Sequence, residues 1–420
     1  MRILIISRTP WDESESFGNT FSNLFGGMMD VEIYNICCQG GLLNSSIVNK
    51  AYQMTEFSVL STLFGKKAGH LMEPSSPDVK YTPSEKIPKK RRTIYFIIRD
   101  LIWSVGLWFD SDLKQFIKDA KPEVLYLPIY ASWYMCDVQN KIVKYCHVPC
   151  VGHISDDVYS YPPNRYKQPL FTFYRMVLRN KLRKLIDKSS YLEVFANNMA
   201  VEYSKLFNKR CYFIGKGIDV SSCVIPERKG APSVPLKFVY TGNIGSGRYL
   251  QLARLGKALD AIMPKQAVLD IYTGTYIDSI ISTSFSKIES IQIRGSVPAT
   301  EVKGVQSDAD FLVHVEDFSP QSIFETRMSF STKIIDYMLT GRPIVAIGPS
   351  SVCSIDTLLD SGTALVATSD EEILKVITAI KEHRADFNTL RKNTIKYLKE
   401  NRDRIKIQDG IKKRLFSLIQ

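Results

Sequence analysis

Short apolar segments alternate with longer stretches that carry apolar residues at helical spacing along most of this 420-residue chain. A buried strand followed by a helical stretch is the repeating unit of a parallel sheet with helices on both faces. In the first half, the strand candidates are MRILIIS, VEIYNICC, PEVLYLP, VPCVGHI and YLEVFANN. In the second half, they are LKFVYTG, AVLDIYTG, SIQIRG, FLVHVE, RPIVAIG and ALVATS.

This pattern predicts two Rossmann-like, doubly wound α/β domains at residues 1–220 and 235–385. Residues 221–234 are rich in Pro, Ser and charge and are predicted to be a linker. Residues 386–420 are predicted to be helical. Within the first domain, a turn with Gly18 is expected before a helix from about Thr20, and residues 44–92 are expected to form loops and helical insertions.

Composition sets limits on location and chemistry. No apolar run reaches the ~20 residues of a membrane span, and MRILIISRTP lacks the features of a signal peptide. The sequence therefore predicts a cytoplasmic protein. Its eight cysteines are scattered without metal-site spacing, so reduced, mostly buried thiols and no metal site are expected.

The formal net charge of +12 favours an anionic partner. Nucleic acid is the weaker choice, because no nucleic-acid-binding motif accompanies the charge. A dense basic block precedes a stretch with apolar residues at helical spacing, which could lie on the inner face of an anionic membrane. A core helix after a solvated loop is the commoner arrangement. The block is Lys86, Lys89, Lys90, Arg91 and Arg92, and the apolar positions are Ile94, Ile98, Leu101, Ile102, Val105 and Trp108, with Trp103 beside them.

The segment RMSFSTKIIDYMLTGRPIVAI predicts an anion site, because a polar loop leads into a helix with a lysine in its first turn. Ser329, Ser331 and Thr332 can expose or cap the free amides of that helix. Lys333 adds a positive charge and Arg327 is a candidate for a second one. Asp336 shares the face of Lys333 and suits a ribose diol. An ordinary capped helix with a solvated Lys–Asp pair is the alternative.

The loop TGNIGSGR follows a predicted strand and precedes a predicted helix. Gly242, Gly245 and Gly247 could bring backbone amides close to a diphosphate, and Arg248 could neutralise it. A plain tight turn explains the glycines equally well. His314 and Glu316 end a further strand, where parallel sheets bind ligands, and Glu316 is the better candidate for a contact with a sugar.

Asp156 and Asp157 follow a predicted strand end in the first domain, beside His153. Adjacent carboxylates are costly to bury without partners, so they predict a site for sugar hydroxyls or for an acceptor. The alternative is that Asp157 caps a helix.

The residues Ser331, Thr332, Lys333, Ile334, Asp336, Tyr337, Met338, Gly341, Arg342, Pro343 and Ile344 resemble the donor-site pattern of nucleotide-sugar glycosyltransferases with the GT-B fold. The likeness is to family 4, and to its enzymes of bacterial surface polysaccharides such as capsules. The common form of that family has two glutamates separated by seven residues, and the matching positions here are Met328 and Asp336. Of the two carboxylates, only the second, which contacts the ribose in that family, is present here.

The resemblance implies two Rossmann-like domains that face each other across a cleft, with a last helix that crosses back to the first domain. It implies a retaining transferase of the hexosyltransferase type, acting without a protein-bound metal or other cofactor on a nucleotide-diphosphate sugar and a glycan or lipid-linked acceptor. Asp156, Arg248 and Lys333 would be catalytic, and Gly18 and Asp157 would lie on the acceptor side. The donor would contact Gly242, Gly245, Gly295, Val297, Glu316, Arg327, Ser331, Thr332 and Asp336, with Gly295 and Val297 lining the base.

Two other functions are compatible with the sequence. A GT-B-fold sugar-nucleotide epimerase would share the diphosphate site but would need an acid and a base beside the sugar. A non-catalytic subunit of a polysaccharide assembly complex is compatible with Met328 at the position of the first glutamate.

Overall fold

The computed structural model describes residues 1–73, 92–161, 169–222, 224–227 and 234–420. The chain divides into two compact units, one formed by Met1–Gly217 with Arg404–Gln420 and the other by Ile218–Asp403. The basic block at residues 86–91 and part of the predicted linker lie outside the described residues. No described helix is both long enough and apolar enough to span a membrane.

The first unit is built on an eight-stranded sheet with the strand order β4-β3-β2-β1-β5-β6-β7-β8. All neighbouring strands run parallel except β3 and β4, which are antiparallel. The strands are β1 (Arg2–Ser7), β2 (Glu32–Cys37), β3 (Val48–Met54), β4 (Gly69–Met72), β5 (Val124–Pro128), β6 (Cys150–Ile154), β7 (Leu192–Val194) and β8 (Cys211–Phe213).

The helices of the first unit cover both faces of this sheet, as continuous apolar strands such as β1 and β5 require. They are α1 (Ser16–Phe25), α2 (Glu56–Ser61), α3 (Arg92–Val105), α4 (Ser111–Ala120), α5 (Trp133–Cys146), α6 (Pro169–Lys188), α7 (Asn197–Phe207) and, from the end of the chain, α16 (Arg404–Phe416). A short 3₁₀ helix, Thr62–Phe64, follows α2. Ile411 and Leu415 of α16 are fully buried in the same core as Ile3 and Tyr126.

Two expectations for the first unit were wrong. Residues 44–92 include two strands of the sheet, because β3 pairs in parallel with β2 and β4 extends the edge in the antiparallel direction. Helix α1 begins at Ser16, so Gly18 lies inside a helix and not in a turn.

The second unit is built on a six-stranded, fully parallel sheet with the order β11-β10-β9-β12-β13-β14. Its strands are β9 (Leu236–Thr241), β10 (Ala267–Tyr272), β11 (Ile291–Gly295), β12 (Phe311–Val315), β13 (Ile344–Ile347) and β14 (Leu365–Ala367). Strands β9 and β12 are adjacent, so the chain order reverses between them. Open α/β sheets bind ligands at such a reversal, outside the carboxyl ends of the strands.

The helices of the second unit are α8 (Arg248–Ile262), α9 (Ser279–Phe285), α10 (Ala299–Ser307), α11 (Pro320–Thr326), α12 (Lys333–Leu339), α13 (Cys353–Ser361), α14 (Asp370–Lys381) and α15 (Phe387–Asn401). Helices α8 and α14 share a core with β9, β10 and β12, in which Leu252, Ile377 and Val313 are fully buried. The predicted fold class, two doubly wound α/β sheets, is confirmed.

Candidate functional site

A cavity of about 290 Å³ lies where the carboxyl ends of β9 and β12 meet in the second unit. Two of its charged residues, Arg248 and Lys333, come from segments that are 85 residues apart in sequence. The cavity therefore brings together the two segments that the sequence assigned to a diphosphate. Its lining consists of Tyr240, Gly242, Asn243, Arg248, His314, Val315, Glu316, Ser331 and Lys333.

Lys333, the first residue of α12, is held against the end of β9. Its Nζ donates a hydrogen bond to the Thr241 carbonyl oxygen at 2.9 Å and lies 5.1 Å from the centre of the Tyr240 ring. A β-carbon on Gly242 would lie 2.2 Å from this Nζ, and Gly242 also has a φ of +138°. Glycine at position 242 therefore leaves the space that the lysine head occupies.

The electrostatics of the cavity favour an anionic ligand. Burial, with the neighbouring Arg248 guanidinium, lowers the pKa of Lys333 to about 8, and the Glu316 carboxylate opposes this shift. An ammonium that has lost hydration and sits beside a second cation gains more from a negative partner than a solvated one does. The two cations repel each other in the absence of such a partner.

Glu316 provides a partial counter-charge. Arg248 donates to Glu316 Oε2 from Nε at 3.2 Å and from Nη2 at 2.9 Å. Burial raises the pKa of the Glu316 carboxyl, and the Arg248 charge counteracts that rise. His314 Nε2 lies 3.6 Å from the other Glu316 oxygen, and burial lowers the pKa of His314 to about 3, so the imidazole is neutral.

Asp317 packs against the glycine loop before α8 and accepts a hydrogen bond from α8, a contact that the sequence did not reveal. Its Oδ1 accepts a hydrogen bond from Gln251 Nε2 at 2.7 Å and its Oδ2 accepts one from the Ser319 amide at 3.1 Å. A β-carbon on Gly247, whose φ is +79°, would lie 2.3 Å from the Asp317 carboxyl carbon. The only sequence signal for this contact was a second acidic residue after a strand end.

The loop before α12 differs in detail from the predicted capped helix start. Thr332 is the residue before the helix, but its side chain makes no capping hydrogen bond. The Ser331 amide instead donates to Ser354 Oγ at 3.0 Å. Met328, at the position of the family's first glutamate, is a core residue with 1% exposure. His314 of β12 and Glu316, which directly follows this strand, supply polar groups to the cavity.

Of the nine residues assigned to the donor and the two cations assigned to catalysis in this unit, five line this cavity and six do not belong to its described lining. Those that line it are Gly242, Arg248, Glu316, Ser331 and Lys333. Those outside it are Gly245, Gly295, Val297, Arg327, Thr332 and Asp336. Asp336 is half-buried on α12, and Gly295 ends the edge strand β11 with a φ of +76°. Asp336 is assigned to the ribose, Gly295 and Val297 to the base, and Gly245, Arg327 and Thr332 to the phosphates, and all of these roles stay predictions.

A second cavity, of about 740 Å³, lies at the carboxyl ends of β1, β5 and β6 in the first unit. Both charged side chains and aromatic rings line this cavity. The lining consists of Arg8, Thr9, Pro10, Asp12, Glu15, Ser16, Phe17, Thr20, Phe21, Gln39, Gly40, Gly41, Leu42, Pro128, Ile129, Tyr130, Ala131, His153, Ser155, Asp156, Asp157 and Val158.

The two adjacent aspartates differ in environment. Asp156 is exposed on the cavity wall. Asp157 accepts hydrogen bonds from the Tyr203 hydroxyl at 2.7 Å and from the amides of Tyr159 and Ser160, both at 3.1 Å. Burial alone would raise the pKa of Asp157, but these hydrogen bonds outweigh it and hold that pKa below its usual value. Asp157 thus closes a turn, and no described helix starts there.

Gly18 does not belong to the described lining of this cavity. A β-carbon at this position would lie 2.0 Å from the Asp12 carbonyl oxygen, so glycine allows α1 to pack directly on the preceding loop. Residues around it, including Ser16 and Phe17, do reach the cavity. In the structure Gly18 is therefore a packing residue beside the cavity, and its assignment to an acceptor remains a prediction.

Within the described residues, no group of three or more His, Cys, Asp or Glu side chains is arranged to hold a metal ion. Each of the seven described cysteines is a free thiol, and five of them are buried. The burial of these five agrees with the expectation of mostly buried thiols.

No protein-family model and no curated protein sequence matches this chain. Solved structures do match it over their whole length. The crystal structure of Anabaena Alr3699/HepE in complex with UDP has 12% sequence identity and a TM-score of 0.64, and covers 100% of both chains. Its complex with UDP-glucose gives a TM-score of 0.59, again with 12% identity and full coverage of both chains.

Two further structures come from synthases. Sucrose-phosphate synthase from Thermosynechococcus elongatus has 12% identity and a TM-score of 0.63, covering 99% of this chain and 100% of that one. The α,α-trehalose-phosphate synthase (UDP-forming) from Burkholderia xenovorans, in complex with glucose-6-phosphate, has 9% identity and a TM-score of 0.59 at the same coverage. At these identities the similarity establishes the fold, and the predicted GT-B fold is confirmed.

Proposed function

We propose that this protein is a glycosyltransferase that moves a sugar from a nucleotide diphosphate donor to an acceptor. The observation that carries this proposal is the cavity of the second unit, where Lys333 and Arg248 meet at the carboxyl ends of β9 and β12. Its GT-B fold is shared with structures described as complexes with UDP and UDP-glucose, which supports a nucleotide sugar as the ligand.

The chemistry follows from the charge that develops during transfer. When the bond between the sugar and the diphosphate breaks, negative charge grows on the leaving oxygen, and fixed cations lower the barrier by stabilising it. Lys333 and Arg248 are suited to this role because neither is fully neutralised by the protein. The diphosphate would replace Glu316 as a hydrogen-bond acceptor for part of the Arg248 guanidinium. Glu316 would then be available to accept hydrogen bonds from sugar hydroxyls.

Acceptor chemistry is assigned to the cavity of the first unit. Asp156 offers an exposed carboxylate, and Phe17, Phe21 and Tyr130 offer aromatic faces in the same cavity. Carboxylates that bind hydroxyls, beside aromatic rings, suit a sugar. The acceptor is therefore proposed to be a glycan or a lipid-linked sugar of a surface polysaccharide, with retention of anomeric configuration and without a protein-bound metal.

An exposed apolar surface on the first unit supports contact with a membrane that carries the acceptor. Along α3, four apolar residues spaced by three or four positions are exposed: Ile94 (54%), Ile98 (50%), Leu101 (59%) and Val105 (48%). Trp103 and Trp108 are buried, and Trp108 lies beyond the end of α3, so they do not belong to this surface as the sequence had suggested. Phe57 and Phe64, on and just after α2, add two further exposed rings.

The first test is thermal stabilisation of the intact protein by UDP, UDP-glucose and other nucleoside diphosphate sugars. A ligand at a hundred times its Kd stabilises the folded state by about 2.7 kcal/mol. The stabilising donor is then incubated with an acceptor panel that contains simple glycosides and lipid-linked sugars. Formation of a glycoside, with the anomer determined by NMR, supports the proposal.

The same experiment separates the two other functions. An epimerase changes the sugar of the donor without an acceptor and releases no nucleotide. A non-catalytic subunit binds the donor but forms no product with any acceptor. Failure of all nucleotide sugars to stabilise the protein would contradict the proposal as a whole.

A further inference from the structure

A chain of buried hydrogen bonds connects α16 with the cavity of the first unit. Arg414 donates to Glu193 Oε1 from Nε at 3.0 Å and from Nη2 at 2.6 Å. The Tyr126 hydroxyl donates to Glu193 Oε2 at 2.7 Å and lies 3.0 Å from His153 Nδ1. His153 Nε2 lies 3.1 Å from Ser155 Oγ, and both residues line the cavity. Tyr126 and Glu193 are fully buried, and His153 is 2% exposed.

The donor and acceptor groups of these residues fix the direction of each hydrogen bond in this series. Glu193 forms an ion pair with Arg414, and a carboxylate can only accept hydrogen bonds. The single Tyr126 proton is used in the bond to Glu193, so the Tyr126 oxygen must accept from His153. This requires the proton of the imidazole to be on Nδ1.

The state of Nε2 follows from the neutrality of the ring. Burial lowers the pKa of His153 to about 3, so the imidazole carries one proton only. Nε2 then has a lone pair and accepts a hydrogen bond from the Ser155 hydroxyl. The oxygen of Ser155 keeps its own lone pairs on the cavity side, where the side chain is exposed.

We propose that Arg414, Glu193, Tyr126 and His153 form a positioning chain that fixes the Nδ1–H tautomer of His153, so that Ser155 presents its oxygen to the cavity as an acceptor for a substrate hydroxyl group. A ligand hydroxyl can donate a hydrogen bond to the Ser155 oxygen, whereas a ligand ether or carbonyl oxygen at the same place cannot. The assignment of the ligand as a sugar rests on the proposed function, but the tautomer does not.

The experiment is a long-range ¹H–¹⁵N NMR spectrum of the imidazole ring of His153 in the intact protein. We expect Nδ1 to be protonated and Nε2 to be non-protonated. The Tyr126→Phe variant removes the acceptor for Nδ1–H, and the loss of one hydrogen bond should move the tautomer ratio about fivefold or more towards Nε2–H. Tyr52→Phe is the matched control, because it removes a buried hydroxyl that has no hydrogen-bond partner and contacts no member of the chain, and the tautomer ratio of His153 in this variant should equal that of the wild type.

A protonated Nε2 in the wild type would overturn the proposal. So would an unchanged tautomer ratio in folded Tyr126→Phe, since Tyr126 would then not fix the ring. If Tyr126→Phe does not fold, the wild-type spectrum decides alone. None of these measurements needs a nucleotide sugar, so they remain decisive if the protein has no transferase activity.

The substrate part is tested with D-glucose as the hydroxyl-bearing probe. Because Ser155 links the cavity to the ring, saturating glucose should shift the Nε2 resonance in the wild type and not in Ser155→Ala. The absence of a shift in the wild type would remove the sugar hydroxyl from the proposal.

Discussion

The ammonium group of Lys333 occupies the space that a β-carbon at position 242 would need, since the distance between them would be only 2.2 Å. Two residues that are 91 positions apart in sequence therefore depend on each other. The lysine can reach the end of β9 because residue 242 has no side chain.

Gly242→Ala should displace the head of Lys333 and weaken binding of a nucleoside diphosphate by about tenfold or more, because a charge-assisted contact contributes about 1.5–3 kcal/mol. Calorimetric titration with the diphosphate that stabilises the wild type measures this loss. Gly304→Ala is the matched control, since a β-carbon at that helical position meets nothing within 4 Å. Equal affinity in Gly242→Ala and wild type would show that the position of Lys333 does not matter for the phosphates.

Lys333→Ala should weaken binding of a nucleoside diphosphate more than binding of the free nucleoside, because the cation is assigned to the phosphates. The expected difference is again about 1.5–3 kcal/mol. Lys303→Ala, which removes an exposed lysine of α10, serves as the control for net charge. An equal loss for both ligands would remove Lys333 from the phosphate site.

Diphosphate affinity should fall as the pH rises through about 8, because the pKa of Lys333 in the free protein is lowered to about 8 and only the protonated form attracts the ligand. Above this pKa the loss approaches about tenfold per pH unit. Stability changes in the opposite direction. The unfolded chain binds this proton up to its ordinary pKa of 10.5, so the ligand-free protein gains stability between pH 8 and 10.5.

The check is a titration series from about pH 7 to about pH 9 in wild type and Lys333→Ala. The pH dependence should disappear in the variant. If diphosphate affinity still falls with pH in Lys333→Ala, the pH dependence belongs to another titratable group.

Asp156→Asn should reduce sugar transfer strongly and leave nucleotide affinity near the wild-type value, because the carboxylate is exposed on the cavity of the first unit and the two cations lie in the other unit. Steady-state kinetics together with nucleotide titration separate these effects. Asp157→Asn should instead lower the melting temperature, since this carboxylate accepts three hydrogen bonds that close a turn. Full transfer activity in folded Asp156→Asn would make the residue structural.

Replacing Ile98 and Leu101 of α3 by serine should weaken sedimentation with anionic vesicles by about tenfold, while donor binding stays unchanged. Both residues are about half exposed and would bury their remaining apolar area in the lipid. Val201→Ser, which changes an apolar residue of α7 that is 58% exposed, is the control. Wild-type protein that does not bind such vesicles at low salt would end the membrane proposal.

The cations of the cavity could be predicted because each is marked by its own local sequence. Lys333 stands in the first turn of a helix that precedes an apolar strand, and Arg248 follows a glycine loop. The contacts around them could not be predicted, because Arg248 reaches Glu316, and α8 reaches Asp317, only after β12 has paired beside β9. Spacing along the chain contains no information about that pairing.

The errors in the first unit also have physical causes. Strand β3 reads VNKAYQM, with two consecutive exposed polar positions before the buried ones, so it lacks the continuous apolar run of β1. It is recognisable as a strand only through its pairing with β2. The sequence gives no clear sign of the start of helix α1, because Glu15, the residue before it, is not a common N-cap residue and Gly18 favours a turn.

Helix α16 belongs to the first unit but follows the second unit in the sequence, and this order affects how the protein folds during synthesis. Ile411 and Leu415 complete a core whose other members come from the first 214 residues, and Arg414 neutralises the buried Glu193. A ribosome must therefore translate all of Ile218–Asp403 before it supplies the helix that closes the first unit. Until then, the nascent first unit has an uncovered apolar face and a buried carboxylate without its arginine partner. The second unit is translated later, but it is the first unit to have all of its own residues available for folding.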